Sequence, residues 1–471
     1  MRLRQQTILL PLVLGLTGCA TFDIDQSLRN VSERVSIVLE SQPTLVVTEA
    51  QKAQLFERST ALLQEPLTMV NAVRLMLVNS PEFQSVLARY WAIGAAAGQS
   101  GRIPNPLLNF ERVTVGSELE LGRLISFGLL DLIQFPWRQR SASLQIKRVE
   151  LELASEILGK ANSVQEAWIN AVVAKQKEEY AKRVLEVTEA DAELARRLHE
   201  AGNFTLSQRI RRQLFYSDAV VSYALAKQKS VSTLERLIRL LGLTREQQLT
   251  LSIPNRLPKL PDAPWTPSEV SSRAAHRLDL DMAKMDYDAA LKQAGVDTVS
   301  SFIDIEVGIR RNTTRDRETG DVSRPRGYEL DVRLPLFDWG GLQRDRLSAD
   351  LLLKANLLEA TVRNAESSVR ESYITYRTSF DVAKHYRDEV IPMRETLAEE
   401  SVYQYNGMLI GTFELLAESR SQVQAIEVGI DAHANFLRAQ LALESTLLGK
   451  PNLLGVELSP ASQGREASGA H

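Results

Sequence analysis

Ile303-Asp304-Ile305-Glu306-Val307-Gly308-Ile309-Arg310 alternates apolar and polar residues without a break, and Tyr328-Glu329-Leu330-Asp331-Val332-Arg333-Leu334 repeats the pattern a short way on. Successive side chains of a strand point to opposite faces, so each segment gathers its branched apolar residues on one face and its charges on the other. The predicted strands are 301–310 and 328–337. Two noisier segments earlier in the chain read the same way. They are 107–115 and 121–135; in the second, Ile125, Phe127, Leu129, Ile133 and Phe135 share a face that Asp131 interrupts. Four strands are too few for a sandwich, and too few to close a barrel, which takes about eight. In a soluble sheet the apolar face is covered by a second layer; in a transmembrane barrel it meets lipid while the charges meet water. Taken alone, four amphipathic strands favour the soluble sheet. The rest of the chain reverses that preference.

Working outward from the strands, the chain is helical and duplicated. Residues 137–253 contain no proline, and 336–450 contain only Pro392; both stretches are rich in Ala, Leu, Glu, Gln, Lys and Arg, good helix formers. Apolar residues recur in 3-4 steps. One seam is Ala154, Ile157, Ala161, Val164, Trp168 and Ala171. A second is Ala355, Leu358, Val362, Ala365 and Val369. A third is Leu416, Val423, Ile426, Ile430 and Leu437, with Ser419 and His433 in its gaps. That is a coiled-coil period. A helix over 139–200 would be about 90 Å long at the usual rise. Gly202-Asn203, and Asn406-Gly407 with Gly411, interrupt the two regions near their middles and read as the turns of two long helical hairpins, with tips remote from the strands. Between the halves, Pro254, Pro258, Pro261, Pro264 and Pro267 make an extended linker. Each half runs helix, strand, strand, long helices, at an offset of roughly 200 residues, an internal repeat.

Composition removes several classes of function. The chain has 471 residues, 56 Lys+Arg against 59 Asp+Glu, one cysteine and five histidines. A single cysteine excludes an internal disulfide framework and a Cys-rich zinc site. The scattered histidines offer no metal-ligand spacing, and the balanced charge gives no concentrated basic surface for nucleic acid. No phosphate-cradling Gly-rich loop, Gly-x-Ser-x-Gly elbow or His-Glu-x-x-His occurs, so no enzyme, cofactor or metal site is expected. The N-terminus is distinctive. Arg2 and Arg4 precede a short apolar run, Ile8 to Leu16, and Leu16-Thr17-Gly18-Cys19 follows at once. The run is too short to span a bilayer and reads as a signal peptide. The Leu-x-Gly-Cys order resembles the bacterial lipobox, in which Cys19 becomes the lipid-modified, palmitate-type N-terminus of the mature chain, and Ala20 after it favours outer-membrane sorting. No other run approaches a membrane helix, so any crossing must be made by strands.

Several ordered motifs resemble the TolC-type outer-membrane efflux channel family. They are Pro66-Leu67-Thr68 with Ala72 to Pro81, Ile103-Pro104-Asn105-Pro106 before a strand, and Pro335-Leu336-Phe337-Asp338-Trp339-Gly340-Gly341 between strand and helix. Asn406-Gly407 with Thr412-Phe413-Glu414-Leu415-Leu416, and Ala439-Gln440 before Leu443-Glu444, complete the set. The resemblance covers nearly all of the chain beyond Pro66. It implies a mainly α fold with a transmembrane β part. Long helical hairpins would form a trimeric α-barrel, and four strands per chain would enter one shared 12-stranded β-barrel. A homotrimer of this kind would carry solutes outward from an inner-membrane transporter, RND-type, through a periplasmic adaptor that docks on the hairpin tips. By matching position the tips are Gly202, Asn203 and Thr205, and Gly407, Gly411 and Thr412. Glu414 falls at the periplasmic aperture; Ala417 stands at the second acidic position, with Glu418 beside it.

The expected division is a signal peptide at 1–18, an arm after the lipid anchor at 19–65, extended along the helical barrel, and a first repeat at 66–253 with its hairpin at 137–253. A proline-rich linker at 254–267, a second repeat at 268–450 with its hairpin at 341–450, and a flexible tail at 451–471 follow. The rival reading is a lipid-anchored periplasmic coiled-coil scaffold or adhesin without a pore. The amphipathic strands separate the two, because a scaffold has no use for them. The exported substrate is not written in the sequence.

Overall fold

The structure, a computed structural model, describes residues 22–35, 42–273, 277–300, 304–333 and 340–451. Cys19, the signal segment, the strand ends at 301–303 and 334–337, and the tail beyond 451 lie outside them. In chain order the elements are α1 Ile24–Arg34, α2 Glu49–Leu62, α3 Met69–Asn79, α4 Pro81–Ser100, β1 Leu107–Val115 and β2 Glu118–Gly128. Then come α5 Leu129–Glu200, α6 Leu206–Leu241, α7 Arg245–Thr250, α8 Pro267–Arg273, α9 Leu278–Ser300, β3 Asp304–Asp316, β4 Val322–Ser323 and β5 Arg326–Arg333. The last are α10 Gly341–His385, a π-helical turn at Tyr386–Val390, α11 Ile391–Asn406 and α12 Thr412–Leu447. The fold is mainly α, with long helices and one small antiparallel sheet. Among the described residues no helix is long and apolar enough to cross a membrane. The chain divides into two compact units, one built from residues up to 31 with 88–153 and 280–363, the other from 32–87, 154–279 and 364 onward.

The first unit holds the sheet. β1 pairs β2, β2 pairs β3 and β3 pairs β5, all antiparallel, with the two-residue β4 also on β3. The hairpin of the first half is thereby joined to that of the second through the β2–β3 ladder. Strand ends differ from the sequence expectation. β3 runs on to Asp316, through Arg311-Asn312-Thr313-Thr314-Arg315, because pairing with β2 satisfies backbone groups that the pattern alone marked as loop. The strand expected over 121–135 stops at Gly128. From Leu129 the apolar residues fall at 129, 130, 132, 133, 135 and 137, with adjacent pairs that simple alternation does not give, and α5 has begun. Asp131, the interruption on the expected strand face, lies in the first turn of α5, where a carboxylate favours the positive end of the helix dipole. Two turns on, Arg138 Nη1 sits 2.6 Å from its Oδ1. The helix continues through Pro136, whose missing N–H leaves the carbonyl of Leu132 without its usual donor.

The arm expected to be extended contains two helices. α1 buries Leu28 and Val31, and Asn30 Nδ2 donates to Glu150 Oε1 at 3.1 Å. α2 begins with a capping box, Thr48 with Gln51, and belongs to the second unit. Apolar positions such as Leu55 suffice to dock it, and its Ser59 Oγ accepts from Gln247 Nε2 at 2.9 Å.

In the second unit the duplication is visible in atomic detail. Trp168 Nε1 donates to the carbonyl of Leu67 at 2.7 Å; in the second half Tyr373 donates from its hydroxyl to the carbonyl of Trp265 at 3.3 Å. Each long helix pair ends on a left-handed glycine seated against the joint of the entry helices. Gly242, at φ 66°, would put a Cβ 2.6 Å from Pro81 Cδ. Gly449, at φ 84°, would put one 2.8 Å from the backbone nitrogens of Leu278 and Asp279. Only glycine meets both demands, a positive φ and no side chain. The first seam, Ala154 to Ala171, is buried throughout. Of the second, only Ala365 is buried, and Val362 is 41% exposed. Helices α5 and α12 run antiparallel in one register, pinned by Lys450 Nζ to Ser155 O, Asn162 to Ser445, Arg438 to Asn170 and Lys177 to Asp431, each between 2.6 and 2.8 Å.

Candidate functional site

The register decides what each face of the sheet carries. Leu108, Ile125, Ile309 and Tyr328 stand in one row across four strands; Phe127, Val307 and Leu330 make the next, and Ile305 with Val332 the one after. Tyr328 is 89% exposed, Phe110 68% and Leu330 65%. No Asp or Glu occurs on this face among the described strand residues. The opposite face holds Glu111, Glu118, Glu120, Glu306, Glu329 and Asp331 with Arg310 and Asn312. Arg310 lies 3.5 Å from Glu111 and 3.8 Å from Glu329, and Asn312 Nδ2 donates to Glu120 Oε1 at 2.6 Å. This polar face is also the crowded one: Gly122 and Gly308 are buried, and a Cβ on Gly308 would meet Leu124 Cδ1 at 2.7 Å. Over β2, β3 and β5 the sheet therefore shows apolar side chains to one medium and linked charges to another, while β1 mixes the two, with Leu107, Val113 and Val115 exposed on the charged face. Among the described residues its outer strands, β1 and β5, each leave one edge unpaired.

The two helical turns are built differently. At the first, Gly202 takes φ 82°, and Thr205 caps α6 in a reciprocal box with Gln208. His199 Nδ1 lies 2.8 Å from the carbonyl of Phe204, and Asn203 N–H donates back to Leu198 O at 2.8 Å. At the second, Gly407 has φ −75°, and the left-handed residue is Met408 at φ 60°. The turn lies where the sequence put it, with Gly407 as the C-cap of α11, but the left-handed conformation falls on the residue after the glycine. Gly411 is the N-cap of α12 and makes no side-chain cap, so Thr412 begins the helix instead of capping it as Thr205 does. Met408 and Leu409 are 93% and 78% exposed. The turns belong side by side: Arg420 of α12 stacks 4.7 Å over the Phe215 ring of α6 and donates to Asp218 at 3.2 Å.

The two carboxylates expected at an aperture lie one turn apart on α12 but in unlike states. Glu414, in the first turn, is exposed and makes no ion pair among the described residues. Glu418 accepts from Arg394 Nη1 of α11 at 3.1 Å and is mostly covered. A second acidic cluster escaped the sequence reading. Lys177 pairs with Asp431 at 2.7 Å; burial pushes the Glu427 carboxyl above its ordinary value although Lys177 opposes it. Burial, with Glu427 and Glu395 nearby, pushes Tyr180 up to about 12. The signal was present, because Glu427 and Asp431 stand at i, i+4 beside the seam of α12, each directly after a seam isoleucine.

No protein-family model and no curated protein matches the sequence. Solved structures do match. VceC, an outer membrane protein of Vibrio cholerae, is 16% identical, with a TM-score of 0.67 over 81% of this chain and 96% of that one. The CmeC outer membrane channel of Campylobacter jejuni is 12% identical, with a TM-score of 0.65 over 84% and 85%. The open state of the MtrE outer membrane channel of Neisseria gonorrhoeae is 16% identical, with a TM-score of 0.63 over 84% and 90%. Across most of its length, this chain has the fold of the TolC-type outer-membrane channels.

Proposed function

We propose that the chain is one subunit of a homotrimeric outer-membrane export channel. The observation that carries this reading is the open four-strand sheet, apolar and exposed on one face, charged on the other, with an unpaired edge at β1 and at β5. Three copies joined edge to edge supply twelve strands, enough to close a barrel with its apolar face to lipid and its charges to a water-filled bore. Heterologous contacts around a threefold axis close such a ring. The exposed apolar residues of α6 and the half-exposed second seam on α10 are the surfaces on which neighbouring helices would pack into an α-barrel. Cys19 anchors each copy by its acyl chain. Solutes pass outward from an RND-type inner-membrane transporter and a periplasmic adaptor, which docks on Gly202, Asn203 and Thr205 and on Gly407, Gly411 and Thr412. Glu414 is the free carboxylate of the aperture. A ring of three would repel anions and hold a cation.

Planar-bilayer recording of the purified trimer tests both parts of this reading. Discrete conducting steps are expected. A protein that stays monomeric in mild detergent and never conducts refutes the channel. Glu414→Ala should weaken divalent-cation block. Arg394→Ala, which frees Glu418, should strengthen it, each shift being several-fold (about 1 kcal/mol corresponds to roughly fivefold). Block unchanged in both variants removes α12 from the aperture.

A further inference from the structure

The apolar face of the sheet ends abruptly. One row beyond Leu108, Ile125, Ile309 and Tyr328, the same face carries Phe110, Arg123, Arg311 and Arg326 side by side across β1, β2, β3 and β5. Arg112 follows in the next row, paired in register with Leu121. All four arginines are exposed, and none makes an ion pair or hydrogen bond recorded among the described residues. Strands lie about 4.8 Å apart, and like charges directly opposite one another destabilise a sheet. The carboxylates that could neutralise the row all stand on the other face: Glu111 and Glu329 are engaged by Arg310, and Glu120 by Asn312. The row lies toward the β-turns, away from the strand ends that lead into α4, α5, α9 and α10. From Ile305 to Arg311 along β3 is about 20 Å of strand, so the guanidinium groups fall where an apolar band gives way to headgroups.

We propose that Arg123, Arg311 and Arg326, with Arg112 behind them, bind the phosphate groups of lipid headgroups in the leaflet on the turn side of the barrel. This rests on the reading of the apolar face as lipid-facing. Guanidinium groups suit the task because their planar forks grip phosphate oxygens in pairs and are less strongly hydrated than ammonium groups. A phosphate between neighbouring arginines turns their repulsion into cohesion across three strands. Phe110 and Tyr328, both exposed beside the row, are the aromatic residues expected at such a boundary. In a ring of three copies the rows would meet at the β1–β5 joints, giving a phosphate-binding girdle.

The test uses the full chain, purified as its oligomer in neutral detergent and offered equimolar phosphatidic acid and phosphatidylcholine at low salt. Retained lipid is counted by native mass spectrometry. Phosphatidic acid should be preferred by at least about tenfold, and the preference should collapse at high salt and in R123Q/R311Q/R326Q, given what a basic residue gains near an anionic surface. Conductance should be unchanged. Equal retention of the two lipids by the native protein overturns the proposal, as does a triple variant that keeps its phosphatidic acid. If that variant does not assemble, the single substitutions replace it, each expected to lower the preference about twofold or more. Displacement of the lipid by dilute inorganic phosphate would show a soluble-anion site and also overturn it. A protein that neither inserts nor conducts fails the channel reading; one that conducts without lipid preference fails only this proposal.

Discussion

Glu427 shows how a single half-buried carboxyl sets a pH response. Its folded-state value is raised, chiefly by burial, with Asp431 adding to the effect and Lys177 opposing it. A raised value means that the protonated form fits the fold better than the charged one. The contribution is therefore fully favourable below the ordinary glutamate value of 4.5 and is lost as pH rises through the raised folded value. Glu427→Gln is neutral throughout. It should raise Tm at neutral pH, with the gain vanishing as pH falls below about 4.5. Thermal unfolding followed by circular dichroism at several pH values checks this; a gain that persists in acid would place its origin in packing, not charge. At this scale the sequence was only partly legible. Glu414 and Glu418 were picked by position as aperture candidates, but nothing in α12 itself says that Arg394, on α11, covers one and leaves the other bare. Contacts between helices carry that information, and they have no local signature.

Among elements, β3 and β5 were legible because strict alternation has no other physical meaning. The strand expected at 121–135 failed in its second part because Leu129, Ile133 and Phe135 continue the period two of Ile125 and Phe127, while Leu130 and Leu132, out of phase with them, belong to the first turn of a helix. The true boundary is Gly128. The arginine row was invisible for a different reason. Arg123, Arg311 and Arg326 lie on three strands, and only the register β2–β3–β5 aligns them. The same register makes a prediction about Leu330, in the middle of the apolar rows between Phe127, Val307 and the next layer. Leu330→Arg should destabilise the inserted barrel by about 2–4 kcal/mol, as charge at a bilayer midplane does. Asp331→Asn, on the other face of the same strand, should change it by less than about 0.5 kcal/mol. Denaturant titration of the protein in lipid vesicles measures both. Similar costs for the two would mean that the faces do not meet different media.

For the assembled molecule, the informative surface is what one copy leaves bare. Leu206, Ile210, Leu214, Val221 and Leu225 run along α6, each between 46% and 60% exposed. Scattered apolar residues on a surface need no explanation, but a stripe along one helix does. If the proposed trimer forms, Leu225→Glu should raise the concentration at which it dissociates by at least about tenfold, which is roughly 2.8 kcal/mol per trimer because trimer dissociation goes as the square of concentration, with helicity unchanged. Sedimentation velocity across a dilution series reads it; a variant as oligomeric as the parent removes this stripe from the subunit interface. The duplication was legible as an order of elements, and the paired glycines Gly242 and Gly449 show how it is held. Within each copy, the pins between α5 and α12 have a mechanical consequence. Residues facing each other sum to nearly the same number, so sliding by one heptad one way would bring Lys177 against Arg438. Sliding the other way would strand both without their partners. The pair behaves as a keyed shaft. A slip of only one turn would offer Lys177 to Glu427 and Arg438 to Glu166, so charge alone would accept a second notch; the seat is chosen by the keys that have no such substitute, Asn162 on Ser445 and Lys450 on the Ser155 carbonyl.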